Sequence, residues 1–135
     1  AALRVVEKGA SRALNPIAVD EVVRIGAEAI LNAFRHAQAD HILTTITYAR
    51  DAMILTVEDD GIGIAPDILE AGRRAGHFGL IGMRERTRRI NAGITFARRA
   101  ARGTVVVLTI PAGEVYTDMP GPGGRLRAWL KRIAG

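Results

Sequence analysis

Two adjacent aspartates at the end of an apolar run are the residues of this chain best placed to do chemistry. Met53 to Val57 delivers the backbone into Glu58-Asp59-Asp60-Gly61-Ile62-Gly63-Ile64. The pattern describes a strand that ends in an acidic, sharply bent loop. It equally describes a tight turn between strands, because Asp-Gly is a common hairpin signal. What precedes and follows it separates the two readings.

A second set lies upstream. Glu28 and Asn32 are four residues apart, so a helix puts both on one face, with Arg24 and His36 on the same stripe and Arg35 beside it. Asn is a weak helix former and needs a reason in mid-helix. One reason is a solvated polar face with a Glu28–Arg24 pair, worth little energetically. Another is chemical. An amide oxygen is a hard, neutral ligand for Mg²⁺, which takes few protein ligands and completes its shell with water and phosphates. A carboxylate one turn earlier can order a water or act as a base, and Arg35 can meet phosphate oxygens with two parallel hydrogen bonds.

The third set is Gly76-His77-Phe78-Gly79-Leu80-Ile81-Gly82-Met83-Arg84-Glu85-Arg86, a glycine-rich loop running into a helix. Backbone N–H groups at a helix start bind phosphate oxygens, and glycines allow close approach. The same residues also fit a flexible loop and a plain helix start. Neither GxxxxGK[ST] nor GxGxxG occurs, so any nucleotide is held in another way. His77 reads as a loop histidine and not as a metal ligand.

The elements that must position these residues are legible in outline. Leu3 to Glu7 reads as a strand, and Ser11 to Pro16 as a connection. Val19 to Phe34 repeats apolar residues at the helical period, with Asp20 as its expected N-cap. Ile42 to Ala49 alternates with period two, Arg50-Asp51 turns the chain, and Met53 to Val57 returns as a hairpin. Pro66 to Ala71 suits a helical turn and Gly72 to Gly79 a mobile loop. Ile81 to Ile90 reads as a second long helix stopped by Asn91-Ala92-Gly93. Ile94 to Arg98 and Thr104 to Ile110 read as strands joined by Arg99 to Gly103. Residues 1–111 then form one domain, closed by Pro111. Ala112 to Gly124 is rich in Gly and Pro and reads as a linker, and Leu126 to Ile133 as a short basic amphipathic helix.

Composition narrows the field. A chain of 135 residues, nearly half of them apolar, suits one globular domain with a real core. With no cysteine, disulfide frameworks and thiolate metal sites are excluded. No apolar run approaches a membrane span and no signal-peptide pattern opens the chain. It starts without Met, as an excised domain does, so a sensor or membrane part is expected elsewhere. The net charge of +5 allows phosphate ligands, an anionic surface or nucleic acid. The cations are scattered apart from clusters at Arg84–Arg89 and Arg125–Arg132, and aromatic residues are few, with Trp129 alone among these clusters, which argues against a single-strand stacking platform.

Taken in order, Glu28-Ala-Ile-Leu-Asn32-Ala-Phe-Arg35-His36-Ala37, Asp59-Asp60-Gly61-Ile62-Gly63-Ile64 and Gly76 to Arg86, followed by Gly103-Thr104, resemble the ATP-binding catalytic domain of bacterial two-component sensor histidine kinases. This is the Bergerat or GHKL fold, and the likeness is to the nitrate-sensor-type subgroup. It covers about residues 3 to 111, and Leu80-x-Gly82-Met83-Arg84-Glu85-Arg86 is its most specific part. The resemblance implies a two-layer α/β sandwich, a mixed and mostly antiparallel sheet against about three helices. It implies ATP and Mg²⁺ as ligands. Asn32 would bind Mg²⁺ with Glu28 as its acidic, catalytic partner, and Arg35 would lie near the phosphates. Asp59 would accept a hydrogen bond from the adenine amino group, supported by Thr104. Gly61 and Gly63 would let the chain pass the base, and Gly79, Leu80 and Gly82 would form the loop near the phosphates. Residues 65 to 78, with Arg73 and Arg74, correspond to a lid over the nucleotide.

The helical pair that carries the acceptor histidine in such kinases is missing. The implied partners are that dimerisation domain and a response regulator, with a homodimer only in a full-length parent and no nucleic acid. The implied location is cytoplasmic, as part of a membrane-anchored sensor. Three alternatives remain: an anti-sigma-type serine kinase of the same fold, a basic nucleic-acid-binding module, and a degenerate domain that binds ATP only as a structural ligand.

Overall fold

The computed structural model describes residues 2–35, 38–63, 80–99, 102–118 and 125–134. The expected helical turn at 66–71, the loop at 72–79, the lid, Arg73, Arg74, His36, His77 and Gly79 lie outside them.

The long helix, α1 (Pro16–Arg35), starts earlier than its apolar period suggests. Ile17 N–H donates to Asn15 Oδ1 at 3.0 Å, so Asn15 is the cap. Pro16 takes the first helical position, where its missing N–H costs nothing. Asp20, the expected cap, instead sits inside the helix, paired with Arg125.

Five strands form one sheet: β1 (Ala2–Lys8), β2 (His41–Tyr48), β3 (Ala52–Asp59), β4 (Gly93–Arg98) and β5 (Thr104–Pro111). Their spatial order is β1-β2-β3-β5-β4. β1 runs parallel to β2, a pairing for which α1 supplies the crossover, and the other pairs are antiparallel. Period-two patterning decides the faces. Ile42, Thr44 and Ile46 of β2, and Met53, Leu55, Val57 and Asp59 of β3, are all buried. That face receives α1, whose Val22, Ile25 and Ala29 are buried against it. Each Ile or Leu so buried contributes about 1.5–3 kcal/mol of transfer free energy.

The second helix, α2 (Leu80–Arg89), ends as expected at Asn91, whose φ of 50° is left-handed. Thus the expected two-layer α/β sandwich with a mixed, mostly antiparallel sheet is the observed fold.

The segment after Pro111 corrects the linker reading over its described part. Ala112–Val115 is a helical turn, α3, and Val115 is completely buried. Val115 O accepts from Asn15 N–H at 2.7 Å, and Thr117 N–H donates to Ala13 O at 3.0 Å. Tyr116 shares its single O–H between Ala49 O and Ala52 O, tying this segment to the β2–β3 turn. The expected amphipathic helix is present as α4 (Arg125–Ala134), and it is no free tail. Leu126, Trp129 and Leu130 are buried in the common core. A Cβ at Gly26 of α1 would lie 2.6 Å from Trp129 Cη2, so the missing side chain there makes room for the indole.

Candidate functional site

β3 carries Asp59 on its core-facing side and lets the chain leave the sheet at once. Asp59 is 5% exposed. Its Oδ1 accepts from Gly61 N–H at 2.9 Å, and the backbone N–H of Thr104 on β5 also donates to the carboxylate. Burial pushes the carboxyl above its ordinary value, while those N–H groups pull against the rise. A buried carboxylate oriented by backbone donors, with the Arg99 guanidinium nearby, is suited to accept from a ligand.

Asp60, one residue on, does something else. Its Oδ1 accepts from the N–H groups of Asp40 and His41, both at 2.9 Å, and its Oδ2 lies 2.7 Å from His41 Nδ1. Hydrogen bonds from His41 hold Asp60 down at about 2. The two carboxylates therefore divide. Asp59 faces inward, and Asp60 ties the entry of β2 to the exit of β3.

The turn between β4 and β5 is built around the acidic loop. Arg99 Nη1 donates to Asp59 O at 3.0 Å, and Arg102 Nε donates to Gly61 O at 2.9 Å. Gly103 has φ of +110°, and a Cβ there would stand 1.8 Å from Asp59 O. Gly63, at φ +77°, passes so close that its Cβ would lie 3.0 Å from Gly103 O. Sequence reasoning missed this clasp. The available signal was two arginines and a glycine in one short turn.

Glu28 and Asn32 are half-buried on α1, and Arg35 is exposed at its end. Glu28 lines a cavity shared with Gly82 of α2. Gly82 is exposed, and a Cβ there meets nothing within 4 Å. Leu80 opens α2. The structure thus joins Asp59, Gly61, Gly63 and Thr104 in one cluster, and Glu28 with Gly82 in another. The link between them is topological. β2 starts at His41, shortly after α1 ends at Arg35, and Ile42 pairs with Asp59. The C-terminal turns of α1, with Asn32, are therefore at the same end of the fold as Asp59.

The donor set fits a nucleotide and Mg²⁺. Asn32 and Glu28 offer the hard oxygens that such an ion takes from a protein, its remaining ligands coming from phosphate and water.

Residues 18–114 match the family described as histidine kinase-, DNA gyrase B-, and HSP90-like ATPase. The chain belongs to this family. Within it, the chain is 32% identical over 100 residues to the nitrate/nitrite sensor protein NarX of Escherichia coli (strain K12), covering 74% of this chain and 16% of that protein. It is 39% identical over 102 residues to the sensor protein NarQ homolog of Haemophilus influenzae, covering 75% of this chain and 17% of that one. The chain thus spans about a sixth of the length of these curated relatives. The histidine kinase domain of the blue-light activated histidine kinase of Erythrobacter litoralis EL346 superposes with a TM-score of 0.69 at 23% identity. That superposition covers 83% of this chain and 56% of that one, and it shows a shared fold. Among the described residues, no helix of this ATPase-family chain is long and apolar enough to cross a membrane.

Proposed function

We propose that this chain is the ATP-binding catalytic unit of a two-component sensor histidine kinase. It binds ATP with Mg²⁺ and donates the terminal phosphoryl group to a histidine on a dimerisation domain outside this chain. A response regulator then receives the group. The relatives' descriptions as sensor proteins support this, and so does the site.

The buried Asp59 carboxylate carries the reading. It accepts a hydrogen bond from the adenine amino group, with the Thr104 N–H fixing its orientation. Guanine presents a carbonyl there, which would leave a buried acceptor unpaired at a cost of about 1–3 kcal/mol. Asn32 would hold Mg²⁺, which when bound neutralises phosphate charge. Glu28 orders the water or acceptor beside the phosphates, and Arg35 meets phosphate oxygens from the end of α1. Catalysis by these groups is positioning and charge neutralisation, as phosphoryl transfer demands. ATP supply puts this unit on the cytoplasmic side of a membrane-anchored parent, which dimerises through its other domains.

A thermal-shift titration with ATP and GTP, with and without Mg²⁺, tests the proposal. ATP should raise the melting temperature and GTP should not. Asp59→Asn should lose most of the ATP response, and a full response in that variant would remove the adenine contact.

A further inference from the structure

Two arginines share a cavity with Glu28 at a distance from the base-binding carboxylate. The cavity, of about 440 Å³, lies between α1 and α2. Arg24, Glu28 and Leu31 line it from α1, and Gly82 and Arg86 line it from α2. Its lining carries two guanidinium groups against one carboxylate, with the Glu21 carboxylate behind Arg86 and Arg89 beside it.

Its place in the fold gives it direction. Asn32, Glu28 and Arg24 follow one another at four-residue intervals, each about 6 Å nearer the helix start. Asp59 belongs to the opposite end of that line, beside the entry to β2. A nucleotide whose base meets Asp59 and whose phosphates reach Asn32 carries its last phosphoryl group toward Glu28 and Arg24.

Arg86 is prepared for an anion. Its Nη1 stands 3.6 Å from Glu21 Oε2, an ion pair too long to be a good hydrogen bond. Both atoms are buried, and neither makes a hydrogen bond. Arg89 Nη1 approaches the other Glu21 oxygen at 3.8 Å. Arg86 can therefore turn a donor to a phosphate oxygen while Glu21 keeps a cation beside it. A planar guanidinium matches phosphate geometry with paired donors, which a lone ammonium does not.

We propose that Arg24 and Arg86 bind the terminal phosphoryl group of the bound nucleoside triphosphate. This cavity, and not the base pocket, then distinguishes triphosphate from diphosphate. The inference rests on the nucleotide reading above and assigns two residues that reading leaves out.

Isothermal titration of the whole chain with Mg²⁺ and either ADP or a non-hydrolysable ATP analogue tests it. Arg24→Gln should weaken the triphosphate by roughly tenfold and leave ADP within about twofold, the usual size of a lost charge-assisted hydrogen bond. Arg24 is exposed, so this variant keeps the fold. Arg86→Gln should act in the same direction, with Arg86→Lys recovering only part, and the double variant should bind both nucleotides about equally. An unchanged preference for triphosphate in the folded double variant, with ADP binding intact, overturns this inference alone. Failure of the unaltered chain to bind either nucleotide overturns the nucleotide reading and this one with it.

Discussion

Gly103→Ala is the sharpest perturbation of the site that leaves every proposed ligand-contacting side chain in place. The new Cβ would stand 1.8 Å from Asp59 O, 2.7 Å from Asp59 C and 3.0 Å from Asp60 Cα. Ordinary contact begins at 3.4 Å, so the two backbones must separate by about 1.6 Å, the difference between 3.4 and 1.8. Both sides of the contact are main chain, and no side chain can rotate away. Gly103 also holds φ at +110°, where an alanine costs about 1–3 kcal/mol of strain. Forced separation of packed elements adds about 1–3 kcal/mol. The sum, about 2–6 kcal/mol, corresponds to a fall in melting temperature of about 8–24 °C, at about 4 °C per kcal/mol for a domain of this size. The separation also moves Asp59 relative to Thr104. An error of ~1 Å in a positioned group can cost ~100-fold, so ATP stabilisation should vanish even where the variant stays folded. Differential scanning fluorimetry with and without ATP reads both effects. A variant that melts with the unaltered chain and binds ATP as well would refute the contact between the β4–β5 turn and the acidic loop, and with it the account of how Asp59 is held.

Three further outcomes are expected. Trp129→Ala empties the space above Gly26 and should cost about 3–5 kcal/mol in urea unfolding; an unaltered midpoint would mean that α4 hangs free of the core. Asp60 has a folded value of about 2, below its ordinary 3.8, so its contribution is present above 3.8 and lost as pH falls through about 2. Asp60→Asn should flatten that part of the acid-unfolding curve, and an identical curve would deny the His41 contact. Asp59, raised by burial, acts in the opposite sense, since its stabilising share is lost as pH rises through its folded value. Asn32→Ala should abolish the Mg²⁺ dependence of ATP binding while adenosine binds as before, and retained dependence would exclude the metal role.

Much of this molecule follows from local pattern. Alternation along Met53, Leu55 and Val57 already puts Asp59 on the core side of β3, and the helical period exposes one face of α1 while burying the other. Spacing alone brings Glu28 and Asn32 to one stripe, and the order of the three motifs suffices to recognise the family. These features depend on neighbours a few residues apart, so backbone geometry dictates them.

Tertiary structure decided what depends on partners distant in the chain. Asp59 and Asp60 are the same residue type side by side, and the distant N–H groups of residues 40, 41 and 104, with the His41 ring, give them different work. Arg99, Arg102 and Gly103 become part of the site because β4 and β5 return beside β3. The Gly- and Pro-rich segment after Pro111 reads as a linker until Asn15 and Ala13 supply its hydrogen bonds. Trp129 looks like one apolar residue on a basic helix until Gly26, more than a hundred positions away, leaves the gap it fills. Hydrogen bonds and close packing are satisfied in space, and a strand's or helix's own period carries no record of which distant backbone will come to meet it.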